Sequence, residues 1–140
     1  MRYWDSSAIM PLLVEEANTK RYELFLREDP YIATWWASKI ECASALNRLY
    51  RDEALNSKEL SQASSDLETL AAGWLEIQAT EKLRRRAIRL LRLHALRAAD
   101  ATQLAASLIA ADEAPRGLDF VCSDTRLTNA AEKEGFTILS

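Results

Sequence analysis

Four carboxylates in this chain stand where an apolar run meets small or polar residues. Asp5 follows a short aromatic run, Glu41 opens a helical stretch, and Asp124 follows an apolar run that ends at Cys122. Asp100 lies within an alanine-rich segment. Carboxylates that gather closely repel one another, and some stay protonated unless a cation neutralises them. An oxygen-only set of ligands favours Mg²⁺ or Mn²⁺ over zinc.

A divalent cation held by such acids activates a water molecule and stabilises the charge that develops on a phosphodiester. The same four acids also have a simpler explanation as helix caps. Ser38-x-x-Glu41 and Asp100-x-x-Gln103 fit the capping-box pattern, and Asp5 and Asp124 are good N-cap residues. All four positions suit both explanations, so position alone leaves the two open.

The elements that would position these acids alternate along the chain. Short β-prone runs predict strands at residues 2–4, 31–36, 74–77, 118–122 and 136–139. Helical periodicity predicts helices after residue 7, at 19–27, 38–50, 57–72 and 80–93, around Asp100 to 112, and from 125 to a stop at Gly135. Strands that alternate with helices indicate right-handed crossovers and a parallel sheet covered on both faces. The expected fold is an α/β three-layer sandwich with four to five strands.

In such a sheet, sites form beyond the carboxyl ends of the strands. Asp5 ends the first predicted strand and Asp124 the fourth, while Glu41 lies one turn into the helix after the second. The residues before Asp100 read as helix and turn, so topology alone does not bring Asp100 to this edge.

Length and composition indicate one domain over residues 1–140. The net charge of -3 excludes a general attraction for nucleic acid, so any polyanion needs a local basic patch. Residues 80–93 are the one strongly basic segment. Their arginines could form a phosphate track, a row of cations that contacts the phosphates of a nucleic acid, or simply a solvated helix face. Two cysteines without CxxC spacing favour a reducing cytoplasm, and no apolar run has the length of a signal peptide or membrane span.

Four motifs together resemble those of the PIN-domain ribonucleases, and the VapC-type toxins of bacterial toxin–antitoxin pairs are the most similar subgroup. Residues 3–8 (YWDSSA) resemble the opening strand motif, and residues 41–46 (ECASAL) resemble the second acidic motif. Residues 96–101 (LRAADA) and 121–127 (VCSDTRL) are similar to the third and fourth. The resemblance spans essentially the whole chain in order, and it places Asp100 with the other acids.

This resemblance implies a PIN-like domain that acts as an Mg²⁺- or Mn²⁺-dependent endoribonuclease. It implies an acidic cluster for catalysis and metal binding, formed by Asp5, Glu41, Asp100 and Asp124. It assigns Ser6 and Ser123 to orienting ligands or water. It also implies a homodimer that a cognate antitoxin protein silences.

Basic residues near the expected site edge are candidate RNA contacts, namely Arg97, Arg116 and Arg126. Asp119 is expected to have a solvated or turn role, and it is the substitute if Asp124 is misassigned. His94, without a histidine or cysteine partner in motif spacing, is expected to pack rather than to bind metal.

Two other classes of protein remain as alternatives. A phosphoacceptor signalling domain also gathers acids at strand ends, but it needs an acidic pair after its first strand and a lysine near its fifth. Here serines follow Asp5, and residues 136–140 contain no lysine. A non-catalytic interaction module would use the four acids only as caps and would bind no divalent metal.

Overall fold

The computed structural model describes all 140 residues and has a five-stranded sheet at its centre. The strand order is β3-β2-β1-β4-β5, and every neighbouring pair is parallel. The strands are β1 (Arg2–Trp4), β2 (Ile32–Trp35), β3 (Leu75–Ile77), β4 (Phe120–Val121) and β5 (Ile138–Leu139). Since all strands run the same way, their carboxyl ends meet at one edge of the sheet.

Seven α-helices connect and cover these strands. They are α1 (Ser6–Leu13), α2 (Thr19–Glu28), α3 (Ser38–Arg51), α4 (Ser57–Ala71), α5 (Glu81–Leu93), α6 (Ala98–Ala110) and α7 (Thr125–Glu134). A short 3₁₀ turn, Pro115–Gly117, precedes β4. None of the helices combines the length and the apolarity that crossing a bilayer requires.

Strand β1 lies in the middle of the sheet and joins two separate apolar cores. Successive side chains of a strand point to opposite faces, so Tyr3 and Trp4, both fully buried, enter different cores. Tyr3 packs in the core formed with α5, α6 and α7. Trp4 packs in the core formed with α1, α2, α3 and α4. The predicted three-layer α/β sandwich with a parallel sheet is therefore confirmed.

Several elements differ from prediction at their ends. The fourth strand was predicted over 118–122 but pairs only at Phe120–Val121, after the 3₁₀ turn. The helix around Asp100 was expected to run to 112 and instead ends at Ala110. Asp112 and Glu113 adopt positive φ angles of 50° and 58°, a left-handed conformation that a right-handed helix does not accommodate.

Gly135 ends α7 in the left-handed conformation, with φ of 103°. A Cβ atom at this position would also lie 3.4 Å from the ring of Pro115. We expect Gly135→Ala to lower the free energy of unfolding by about 1–2 kcal/mol, because an L side chain is strained in this conformation.

Urea unfolding measures this change, with Gly117→Ala as the matched control. No atom lies within 4 Å of a Cβ atom built on Gly117, whose φ is outside the left-handed range. Equal unfolding free energies for the two variants would contradict the assignment of strain to Gly135.

Candidate active site

Asp5 lies directly after β1 and forms the N-cap of α1. Its carboxylate accepts hydrogen bonds from the backbone N–H of Ser7 at 3.0 Å and from the Ser7 hydroxyl. The thiol of Cys122, at the end of β4, lies 3.5 Å from the same carboxylate oxygen, Oδ2. Asp5 is 4% exposed, so this carboxyl group lies beside the end of the central strand with little access to solvent.

Glu41 occupies the first turn of α3 and is held by two other elements. The hydroxyl of Ser6 donates to Glu41 Oε2 at 2.7 Å, and the side-chain amide of Gln103 donates to the same oxygen at 3.1 Å. The capping box predicted from Ser38 and Glu41 is wrong, because α3 begins after Ala37 without a side-chain cap. Ser38 instead lies in a buried hydrogen-bond network.

Asp100 is the third residue of α6 rather than its N-cap, which corrects the second predicted capping box. Its Oδ2 atom accepts a hydrogen bond of 3.1 Å from the backbone N–H of Arg97. The guanidinium of Arg126 lies 4.0 Å from the same oxygen. The side chain of Asp100 is 19% exposed, so it lies at the rim of the site.

Asp124 follows β4 at the same edge but is exposed. It forms the N-cap of α7, and its Oδ1 atom accepts from the backbone N–H of Leu127 at 2.9 Å. Its neighbour Ser123 is tied to α1, since the Ser123 hydroxyl donates to the carbonyl of Ser7 at 3.2 Å. Asp124 is the one exposed acid of the four, so it stands on the solvent side of the group.

The four acids share one feature of their hydrogen bonding. Every hydrogen bond from the protein to a given carboxylate reaches only one of its two oxygens: Oδ2 of Asp5, Oε2 of Glu41, Oδ2 of Asp100 and Oδ1 of Asp124. The second oxygen of each side chain is left without a hydrogen-bond donor from the chain. Each carboxylate is thus oriented by the protein while keeping one oxygen for another ligand.

The inner acids are electrostatically strained by burial and by one another. Burial raises the pKa of Asp5, and the hydrogen bonds from Ser7 and Cys122 oppose only part of that rise. Burial likewise raises the pKa of Glu41, and the negative charges of Asp5 and Asp100 add to it, against the hydrogen bonds from Ser6 and Gln103. A cation would reverse both effects.

The side chains as they stand form no group of three or more histidine, cysteine, aspartate or glutamate residues that could hold a metal ion. The donor set nevertheless fits a hard divalent cation. Asp5, Glu41 and Asp100 offer oxygens only, and one oxygen on each is without a hydrogen-bond donor from the chain. Burial is the main cause of the raised pKa values of Asp5 and Glu41, and a bound cation would favour their charged forms.

The two cysteines beside these acids are not nucleophiles. Burial, with the charges of Glu41 and Asp5, raises the pKa of Cys42 to about 12. Burial and Asp5 likewise raise the pKa of Cys122 above its ordinary range. Because only a thiolate attacks, both remain inert thiols at neutral pH, and Cys122 serves as a hydrogen-bond partner of Asp5.

Sequence reasoning missed three residues that shape the site: Ser7, Gln103 and Arg48. Ser7 is two residues after Asp5, a spacing typical of an N-cap hydrogen bond. Gln103 lies three residues after Asp100 and so shares its helix face. Arg48 lies about two helical turns beyond Glu41, and the two line an open cleft with Ser6 and Ser44. The helical spacing of Gln103 and Arg48 was the available signal.

The three arginines expected at the site edge lie in different places. Arg97 and Arg126 are exposed beside Asp100. The expectation for Arg116 is wrong, because the turn Pro115–Gly117 precedes β4 and therefore lies at the amino ends of the strands. Asp119 lies at that opposite edge too, 3.5 Å from Arg2, which is the solvated turn role expected for it.

The basic helix α5 carries two kinds of cation. Arg84 and Arg86 form ion pairs with Glu81 and Glu113, each at 3.0 Å. A second set on one helix face forms no ion pair and is exposed: Lys82, Arg85, Arg89 and Arg92. His94, at the end of α5, lies 2.7 Å from Glu134, and its side chain is 9% exposed, which agrees with the packing role expected for it.

A central β1, a 3-2-1-4-5 parallel sheet and acids at its carboxyl edge define a PIN-like α/β domain. FitAcB from Neisseria gonorrhoeae has the same fold, with a TM-score of 0.67 at 19% identity over 100% of this chain and 97% of that one. PAE2754 from Pyrobaculum aerophilum gives a TM-score of 0.66 at 19% identity over 99% of this chain and 89% of that one. No protein-family model matches the chain.

Two curated relatives are similar in sequence as well. Ribonuclease VapC45 and Ribonuclease VapC49, both from Mycobacterium tuberculosis, are each 30% identical over 133 residues. Those residues make up 95% of this chain and 90% of each relative. The chain belongs to the VapC ribonuclease family. This membership disfavours the phosphoacceptor alternative raised by the acids at the strand ends.

The raised pKa of Asp5 makes its charge a cost to folding. The folded state holds the proton more tightly than the unfolded chain, so stability falls as pH rises from the ordinary aspartate value through the raised one. We expect Asp5→Asn, which keeps an N-cap acceptor, to be more stable at pH 7.5 by roughly 0.5–2 kcal/mol. The gain should shrink as pH falls toward 4.

Urea unfolding in EDTA across this pH range measures the difference. Asp29→Asn is a control of opposite sign, because the ammonium group of Met1 donates to Asp29 and lowers the pKa of that carboxyl. Its loss should destabilise at neutral pH only slightly, since the pair is exposed. A stability gain for Asp5→Asn that is equal at pH 4 and pH 7.5 would contradict the electrostatic explanation.

Proposed function

We propose that this chain is a metal-dependent endoribonuclease, the toxin of a type II toxin–antitoxin pair, which hydrolyses RNA phosphodiesters with Mg²⁺ or Mn²⁺. The observation that carries the proposal is the shared hydrogen-bonding pattern of Asp5, Glu41, Asp100 and Asp124. Each acid offers one unengaged oxygen at the same edge of the sheet. The names of the relatives, both ribonucleases, support the reaction class.

In this proposal Asp5, Glu41 and Asp100 hold the cation, and Asp124 completes the group from the outer side. A bound divalent cation supplies an activated water and stabilises charge on the phosphodiester. The protein's own part is orientation: Ser7 and Cys122 fix Asp5, and Ser6 fixes Glu41. Ser123 joins β4 to α1 and so keeps the two strand ends in register. Hydrolysis would leave a 5′-phosphate and a 3′-hydroxyl.

RNA approaches an acidic site only if nearby cations offset the repulsion. Arg126 beside Asp100, Arg97 and Arg48 are the proposed contacts at the rim. The unpaired face of α5 is the proposed phosphate track, because its cations have no acidic partner to screen them.

We further propose that residues 1–140 act as one domain that forms a homodimer in the cytoplasm and is silenced by a cognate antitoxin protein. The single sheet shared by both cores supports one domain. Exposed apolar side chains, including Ile40, Ile88 and Leu91, offer surface that a protein partner would cover.

RNA cleavage by the purified protein tests the reaction. We expect cleavage with Mg²⁺ or Mn²⁺, none in EDTA, and a fall to background in Asp100→Asn, since the variant removes one charge from the cation site. Asp112→Asn is the matched control on the same stretch of chain. Asp112 is exposed at a positive φ that asparagine tolerates, so this variant should cleave normally.

Equal cleavage by wild type and Asp100→Asn would point to a contaminating nuclease and contradict the proposal. Absence of both cleavage and divalent-cation binding by calorimetry would leave the acids without a catalytic role, which is the non-catalytic alternative.

The phosphate track is tested by the salt dependence of RNA binding in EDTA. We expect the double variant Arg85→Gln/Arg89→Gln to bind single-stranded RNA more weakly. The slope of log K against log salt should fall by about 1.4, since each lost phosphate contact on a single strand contributes about 0.7.

The control is Lys20→Gln/Lys58→Gln, which makes the same change in net charge with exposed residues of α2 and α4, on the other face of the sheet. Equal loss of affinity in the two double variants would show that net charge, rather than the face of α5, governs binding.

A further inference from the structure

Gln103 is a polar side chain buried inside the molecule, with 1% of its surface exposed. Its amide makes three hydrogen bonds. The hydroxyl of Tyr3 donates to Oε1 at 2.6 Å, while Nε2 donates to Ser38 Oγ at 2.9 Å and to Glu41 Oε2 at 3.1 Å. Both amide protons and the carbonyl oxygen of Gln103 therefore have hydrogen-bond partners, as a buried polar side chain requires.

The environment fixes which way the amide faces. The phenol of Tyr3 is protonated at neutral pH and donates to Oε1. Nε2 is thereby turned toward the carboxylate of Glu41. The amide cannot flip without placing its oxygen against that carboxylate, which offers only acceptors when ionised.

The network around Gln103 joins the elements that carry three of the four acids. Ser38 Oγ lies 2.7 Å from the hydroxyl of Thr34, which donates to the carbonyl of Trp4 at 2.6 Å. Trp4 immediately precedes Asp5. Strand β1, helix α3 and helix α6 are thus connected through one buried chain of hydrogen bonds that includes Gln103.

We propose that Gln103 is a positioning residue of the acidic site, which holds Oε2 of Glu41 so that Oε1 stays available to a divalent cation. This inference rests on the proposed function. Asp100 stands three residues before Gln103 on the same face of α6. Anchoring Gln103 to β1 and α3 therefore also sets the distance between Asp100 and Glu41. Its role is to act through Glu41, without touching the substrate.

The test compares three variants by Mn²⁺ calorimetry, thermal unfolding without metal, and RNA cleavage. Gln103→Met keeps the length of the side chain and removes all its hydrogen bonds. Tyr3→Phe removes only the donor that turns the amide. Ser107→Ala is the matched control, because Ser107 is a fully buried polar residue one turn further along α6 whose hydroxyl donates only to the carbonyl of Leu104.

We expect Gln103→Met to weaken Mn²⁺ binding and kcat/KM by about 10–100-fold, the usual effect of losing a partner that orients a metal ligand. Tyr3→Phe should weaken Mn²⁺ binding in the same direction by less. Ser107→Ala should lower the melting temperature yet keep wild-type Mn²⁺ affinity. If Gln103→Met does not fold, the result for Tyr3→Phe decides.

If a folded Gln103→Met binds Mn²⁺ as tightly as the wild type, the inference is overturned and the proposed function is unaffected. If only Tyr3→Phe folds, the same result in that variant has the same meaning. A similar loss of Mn²⁺ affinity in Ser107→Ala would also overturn it, since any buried polar change would then suffice. Failure of the wild-type protein to bind Mn²⁺ would instead reject the proposed function and, with it, the role of Gln103.

Discussion

The rest of the structure depends on holding several carboxylates together at one edge of the sheet, against their mutual repulsion and their loss of hydration. Burial raises the pKa of Asp5, and burial together with Asp5 and Asp100 raises that of Glu41, so the charged group is costly in the folded state. The two cores on either side of β1 offset this cost, because Tyr3 and Trp4 anchor the strand that carries Asp5 in both of them.

Capping and cation binding turn out to be compatible uses of the same side chains. A capping carboxylate engages a backbone N–H with one oxygen, which fixes the side chain and leaves the other oxygen available, as at Asp5 and Asp124. Glu41 and Asp100 are oriented differently, by Gln103 and Ser6 in the first case and by the backbone of Arg97 in the second. Use as a helix cap therefore does not exclude use as a cation ligand at Asp5 or Asp124.

Local signals made the fold predictable, and distant contacts made parts of the site unpredictable. The aromatic run before Asp5 marks β1, and Gly135 marks the end of α7, because strand and cap preferences are encoded in neighbouring residues. The link from Gln103 to Glu41 spans 62 residues, and no local pattern encodes it. Arg116 was misplaced for a related reason: it is near Asp124 in sequence, but β4 separates them and carries them to opposite edges of the sheet.

The distribution of charge matters more to this molecule than its net value of -3. Cations that meet acids within the chain, such as Arg84 and Arg86, contribute little outward field. Four cations without acidic partners are gathered on one face of α5, namely Lys82, Arg85, Arg89 and Arg92, while the guanidinium of Arg126 lies 4.0 Å from Asp100 at the rim of the acidic edge. A polyanion attracted to these cations would be repelled by the acids only when it comes close to them, because salt screens charges at longer distances. If the proposed function is correct, this arrangement separates the surface that attracts phosphates from an acidic site that repels them unless a cation is bound.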